Sequence, residues 1–382
     1  MRYDGHIIFI CVACCIVAFK LGQVYVETGG TICTHQYKEF STTKQVSHEC
    51  AITKKVHHAR NQSCDMEFIK YIPSALEQTW SAEVNRVASN EHTWKLGCEM
   101  LNNDLVKVQE LLSAIGRYEL DPSSANLSSS YTSALEFRDS CTGRQSFVHI
   151  EPLVSFLRHP LAFCQKIQMS WFMRFFGNKK DFVIDMLFDK NYLIVPYKDE
   201  VTNDESTKWL FDAGASTYDA GAGGASQSWF VNTYRARGIE FDRIIGWEAA
   251  KTDPSNQWDG VPEEVKRKTS WFNIPVTTGV GDADNPLTFI KHLTKPEDFV
   301  VFKLDIDSPL VEIALVQQLM ADPQLLELVD EFYFEHHVSG SPMQWNGWGD
   351  LRKSNAELST LQESYELFTF LRQHGVRAHS WV

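Results

Sequence analysis

A short apolar run, Leu210 and Phe211, ends in Asp212 and gives way to a loop of almost nothing but small residues, from Ala213 to Ala225. A helical pattern opens at Ser226. Strand, small-residue loop and helix start form the usual platform for the phosphate, sugar or methionyl part of a nucleotide-like ligand. Glycines let the backbone approach such a ligand closely, and a helix start offers it unpaired N–H groups. The competing reading is a glycine-rich surface turn, and the residues that follow weigh against it.

Downstream, strand and helix patterns alternate. Strand candidates are 209–211, 243–247, 272–276, 299–304, 328–334 and 376–381, with helices near 226–237, 286–293, 309–320 and 356–374. Ser308 before Pro309 suits an N-cap and first turn, and Glu312 suits the helix dipole. Such alternation predicts an α/β fold, a Rossmann-like, mostly parallel sheet with helices on both faces. Ligands of such sheets sit at the carboxyl ends of the strands. That places Asp212, Glu248, Asp305, Asp307, Glu335, His336 and His337 on one acidic rim.

Three of these strand ends carry a pattern: Asp212-Ala213-Gly214-Ala215, Trp247-Glu248-Ala249 and Lys303-Leu304-Asp305-Ile306-Asp307. On these residues the stretch from 208 to about 340 resembles the FkbM-type S-adenosylmethionine-dependent methyltransferases. The resemblance implies S-adenosylmethionine as methyl donor. Gly214 and Ala215 would flank its methionyl part, Glu248 would hold its ribose, and Asp305 would lie near the transferred methyl. Asp212 and Ser216 complete the expected cofactor contacts. The chain departs from the family at a longer loop with a second glycine cluster (Gly221, Gly223, Gly224), at Asp307 in place of glutamate, and at the displaced Glu312.

Methyl transfer to a hydroxyl requires in-line positioning and a general base. Asp305, Asp307, His336 and His337 are the catalytic candidates, with the histidines favoured because imidazole titrates near neutrality. No metal is expected in this reading. Two other readings use the same region. Asp305-Ile306-Asp307 is also the Asp-x-Asp pattern of GT-A glycosyltransferases, in which carboxylates hold a cation bridging a nucleotide diphosphate. A non-enzymatic domain could instead bind glycans through Trp258, Trp345 and Trp348.

The first half sets location. An apolar run at 7–19, bounded by His6 and Lys20, reads as the core of a signal anchor over 1–26, with a cleaved signal and secretion as the alternative. Of nine cysteines, Cys11, Cys14 and Cys15 lie in that run. Cys33, Cys50, Cys64, Cys98, Cys141 and Cys164 follow, which suggests disulfides formed in an oxidising lumen, Cys141 with Cys164 among them. Sequons at Asn61 and Asn126 agree with that. A stem is expected over 27–66, a helical cysteine-containing region over 67–200, and the Rossmann-like domain over 201–382. Within the helical region Leu101, Leu105, Val108, Leu112 and Ile115 form one apolar stripe, ended by Gly116 and followed by a serine-rich linker at 121–133. A net charge of −13 with no basic run beyond Lys266-Arg267-Lys268 disfavours nucleic acid as a partner. The expectation is a single-pass protein of the endoplasmic reticulum or Golgi membrane. Its lumenal domain would methylate a hydroxyl of a glycan or small acceptor.

Overall fold

The computed structural model describes residues 65–382 apart from 89–92, 121–129, 162–187, 203, 220–225, 340, 342–357 and 382; before residue 65 it describes only the backbone of six strands. The chain divides into two compact units, 1–52 and 53–382. In the first, β1 (Phe9–Val12), β2 (Cys15–Lys20), β3 (Gln23–Thr28), β4 (Thr31–Glu39) and β5 (Lys44–Ser47) pair antiparallel in sequence order. Most of the run expected as an anchor lies in β1 and β2. No helix among the described residues is long and apolar enough to cross a membrane.

The second unit opens with a four-stranded antiparallel sheet: β6 (Lys55–His57), β7 (Asp65–Ile72), β8 (Ser133–Asp139) and β9 (Gln145–Ile150). The region expected to be helical is therefore mixed. Met66, Phe68 and Tyr71 point inward with a bulge between Phe68 and Lys70, so the alternation of a strand is broken once and reads as helical spacing. These side chains pack on Leu135, Phe137, Val148 and Ile150.

Three helices separate β7 from β8: α1 (Ala75–Ala88), α2 (Thr93–Asn103) and α3 (Leu105–Leu120). The break at Asp104 interrupts the expected stripe. Leu105 is exposed, while Leu101, Val108, Leu111, Ile115 and Tyr118 are buried. Gly116 does not end α3, because Tyr118 anchors the next turn by donating its hydroxyl to Glu200. Ser133, expected in the linker, begins β8 and donates to Glu77 Oε2 (2.7 Å). Cys98 and Cys141 are disulfide-bonded. The expected partner Cys164, the sequons and most of the linker lie outside the described residues.

The remaining strands are β10 (Lys208–Ala213), β11 (Arg243–Trp247), β12 (Thr269–Phe272), β13 (Phe299–Leu304), β14 (Glu331–Phe334) and β15 (Arg377–Ser380). They form one six-stranded sheet in the order β12-β11-β10-β13-β14-β15, parallel throughout. Helices α4 (Ser226–Ala236), α5 (Pro286–Leu293), α6 (Pro309–Ala321), α7 (Pro323–Leu328) and α8 (Leu361–Gln373) flank it, giving the α/β fold. β13 is buried along its whole length, as a central strand covered on both faces must be. The strand expected over 328–334 is shorter than that, because Asp322 caps α7 by accepting from the Gln324 N–H (3.0 Å) and the helix runs to Leu328. The order reverses direction between β10 and β13. That is the switch point at which open parallel sheets bind ligands.

Two buried arginines join the antiparallel sheet to the far edge of the parallel one. Arg372 on α8 donates to the Glu151 carbonyl (2.9 Å) and Tyr71 hydroxyl (3.0 Å), and pairs with Glu77 and Glu151 (3.5 and 3.3 Å). Arg377 on β15 pairs with Glu331 and donates to the carbonyls of His149 and Ile194 (2.9 and 2.7 Å). The boundary expected near residue 200 thus falls inside a single unit.

Candidate functional site

At the end of β10 the chain turns through Gly214, whose φ of +87° is open to glycine at little cost. A Cβ there would lie 1.6 Å from the Asp305 carbonyl oxygen, so no other residue fits. The Gly214 and Ala215 N–H groups both donate to the Trp247 carbonyl (2.9 Å each). Ser216, itself at φ +48°, donates its N–H to Glu248 Oε2 (2.9 Å), and Ala250 N–H donates to Oε1 (2.7 Å). The first glycine cluster and the end of β11 are therefore one structure. Gly214, Ala215, Ser216 and Glu248, singled out from sequence, all meet here.

The second glycine cluster lies outside the described residues. On its described flanks, Ser228 N–H donates to the Tyr218 carbonyl (3.1 Å).

Beneath that turn lies a charged group. Lys303 Nζ is 3.3 Å from both Asp212 Oδ1 and Asp305 Oδ2, and donates to the Gly214 carbonyl (2.6 Å). Asp212 and Lys303 are almost wholly buried. Burial pushes the Asp212 carboxyl above its usual range, with the ammonium opposing it. Burial acts to lower Lys303, but Asp305 and Asp212 outweigh it and hold the ammonium charged. Asp212, expected at the cofactor, is instead sealed under the rim against Lys303.

On the other side of the switch point the exits of β13 and β14 converge. His337 Nδ1 lies 2.9 Å from Glu312 Oε2 on α6, and its Nε2 lies 3.7 Å from both Asp307 Oδ1 and Glu335 Oε2. Glu312 also accepts the Ile306 N–H (2.9 Å). Arg158 Nη2 stands 3.5 Å from Glu335 Oε1. Burial acts to lower the His337 imidazole, yet the facing Asp307 carboxylate, the bond to Glu312 and the nearby Glu335 lift it to about 10. The facing imidazole in turn holds the Asp307 carboxyl below its usual range.

The two neighbouring histidines part company. His336 turns toward α8, with Nδ1 2.8 Å from Ser364 Oγ and its ring stacked on Phe334 (5.0 Å between centroids). Burial, with the nearby charges of His337 and Arg158, drops it to about 3. His336 is therefore neutral and enclosed, and His337 alone joins Asp307.

Sequence reasoning missed Arg158 and the true role of Glu312. Arg158 lies in an irregular stretch, 151–160, that is buried throughout and has no period to read. Glu312 was legible only as a helix-dipole partner. Trp258 is half-buried and packed against the core, while Trp345 and Trp348 lie outside the described residues. No known protein family, curated protein or solved structure matches the chain.

Proposed function

We propose that the chain is an S-adenosylmethionine-dependent O-methyltransferase of the secretory lumen, acting on a hydroxyl of a glycan or small acceptor. The observation that carries this is the 2.9 Å bond from Ser216 N–H to the Glu248 carboxylate at the switch point of a parallel sheet. It puts an oriented acid beside the glycine turn. Each Glu248 oxygen accepts one N–H, and a carboxylate has about four acceptor sites, which leaves room for two ribose hydroxyls. The residues present thus fit the adenosyl group, which when bound would supply an activated methyl on a sulfonium.

The chain's own groups then divide the work. Gly214 and Ala215 shape the donor side, Asp305 sits between the two halves, and the exits of β13 and β14 form the acceptor side. In this reading Asp307, whose side chain is 72% exposed, takes the acceptor's proton, while His337 positions its carboxylate. His336, enclosed against Ser364 and Phe334, takes no part. The disulfide-bonded Cys98 and Cys141 support the lumenal location. Against the glycosyltransferase reading weighs the pairing of Asp305 with Lys303 (3.3 Å).

Calorimetry on the full chain tests this. S-adenosylmethionine should bind, nucleotide sugars with Mn²⁺ should not, and Glu248→Ala should weaken the former by about 1.5–3 kcal/mol. Tight binding of a sugar nucleotide with no response to S-adenosylmethionine would overturn the proposal.

A further inference from the structure

The acceptor side holds three carboxylates around one imidazole, and the cluster has the shape of a cation site. Asp307, Glu335 and His337 each offer a ligand atom, all within 4.8 Å of one another. The two 3.7 Å separations from Nε2 exceed a hydrogen bond. They lie near the edge of about 3.4 Å that donors 2.0–2.2 Å from one tetrahedral ion would span. Behind the imidazole, Glu312 takes up Nδ1 at 2.9 Å, which fixes the ring and directs Nε2 at the two acids. A carboxylate in that place is the usual outer support of a metal-bound histidine. The charges agree. Glu312 and Glu335 are 0% and 5% exposed, and Arg158 is the guanidinium seen against Glu335. A dication would offset what remains.

We propose that His337 Nε2, the Asp307 carboxylate and the Glu335 carboxylate bind one first-row divalent cation of the Mn²⁺, Co²⁺, Zn²⁺ class. The imidazole donor argues against Ca²⁺ and Mg²⁺, which prefer oxygen, and no thiolate is present to favour softer ions. On binding, the ion displaces the Nε2 proton to solvent. Asp307, at the surface, leaves one side of the ion open to water or to an acceptor oxygen. The site stands independently of the methyl donor, since none of its ligands belongs to the Gly214–Glu248 half.

The test uses the full chain, stripped with chelator and titrated with each metal alone: Mn²⁺ by electron paramagnetic resonance, Co²⁺ by visible absorption, Zn²⁺ by calorimetry. One equivalent should bind. Asp307→Asn alters only an exposed carboxylate, so it should keep the wild-type circular dichroism and weaken binding roughly tenfold or more. Glu335→Gln should do the same, and Glu312→Gln should cost about 10–100-fold through the ring it orients. Failure of the folded wild type to bind any of the three ions at millimolar concentration would overturn the site. So would affinities unchanged in both Asp307→Asn and Glu335→Gln. S-adenosylmethionine binding, measured separately, reports on the other half of the rim.

Discussion

Gly214 is held by two constraints at once, a left-handed φ and a carbonyl oxygen where a side chain would begin. Gly214→Ala should therefore lose about 1–3 kcal/mol to backbone strain alone, and more to the displaced Asp305. Urea unfolding would measure it, and a loss under about half a kilocalorie would show that the turn relaxes freely. Lys303 is the second test at this scale. Lys303→Met strands Asp212 without its cation and should cost about 3–5 kcal/mol, whereas adding Asp212→Asn to it should recover a large part. If the double variant is no more stable than the single one, the ammonium's value lies in its bond to the Gly214 carbonyl instead. Both sites were visible in the sequence as letters of a motif. Glycine and a strand-end acid advertise close approach and charge, but Lys303 could not be seen to neutralise Asp212 until two strands were laid side by side. Arg158 reaches Glu335 across 177 positions of chain, a separation that no local pattern encodes.

Helix boundaries were legible where a cap or a proline marks them. α5 and α6 begin at Pro286 and Pro309 as expected, because the proline occupies a first-turn position whose N–H has no partner to lose. α8 begins instead at a capping box, in which Glu363 N–H donates to Thr360 Oγ1 (3.1 Å) and Thr360 N–H to Glu363 Oε2 (2.7 Å). Thr360→Ala should cost about 0.5–2 kcal/mol in thermal or urea unfolding, and a neutral result would mean the box is redundant. Gly116 misled because a glycine near the end of an apolar stripe resembles a stop. It lies inside α3, and a methyl added there would meet nothing within 4 Å, so Gly116→Ala should stabilise by about 0.5–1 kcal/mol. A loss on that substitution would show that the helix is looser there than its neighbours. β7 escaped notice for a different reason, as one bulge shifts the inward register in the middle of a short strand.

For the second unit as a whole, the decisive groups are charged and buried. Arg372 touches Tyr71, Glu77 and Glu151, so it spans the antiparallel sheet, α1 and the edge of the parallel sheet. Arg372→Met should cost about 3–5 kcal/mol by leaving buried Glu77 without its cation and Glu151 with His379 alone. Because both sheets share this group, circular dichroism and tryptophan fluorescence should report one coincident urea transition in the wild type. The same network sets the acid response. Burial pushes Glu151 and Glu331 up, but His379 and Arg372 outweigh it at Glu151, as Arg377 and His379 do at Glu331, and both carboxyls rest below the usual range. A depressed carboxyl contributes stability that is fully present above the unfolded value, about 4.3, and is lost as pH falls through the folded one. His149 and, more strongly, His336 add a loss that starts earlier. Burial lowers both imidazoles, so below about pH 6.5 the unfolded chain takes up protons that the folded one refuses. Thermal midpoints should thus decline from about pH 6.5 and more steeply below about 4.3. A profile that stays level between about pH 5 and 3 would mean that water reaches these carboxylates in the folded state, and that the two sheets are joined by packing alone.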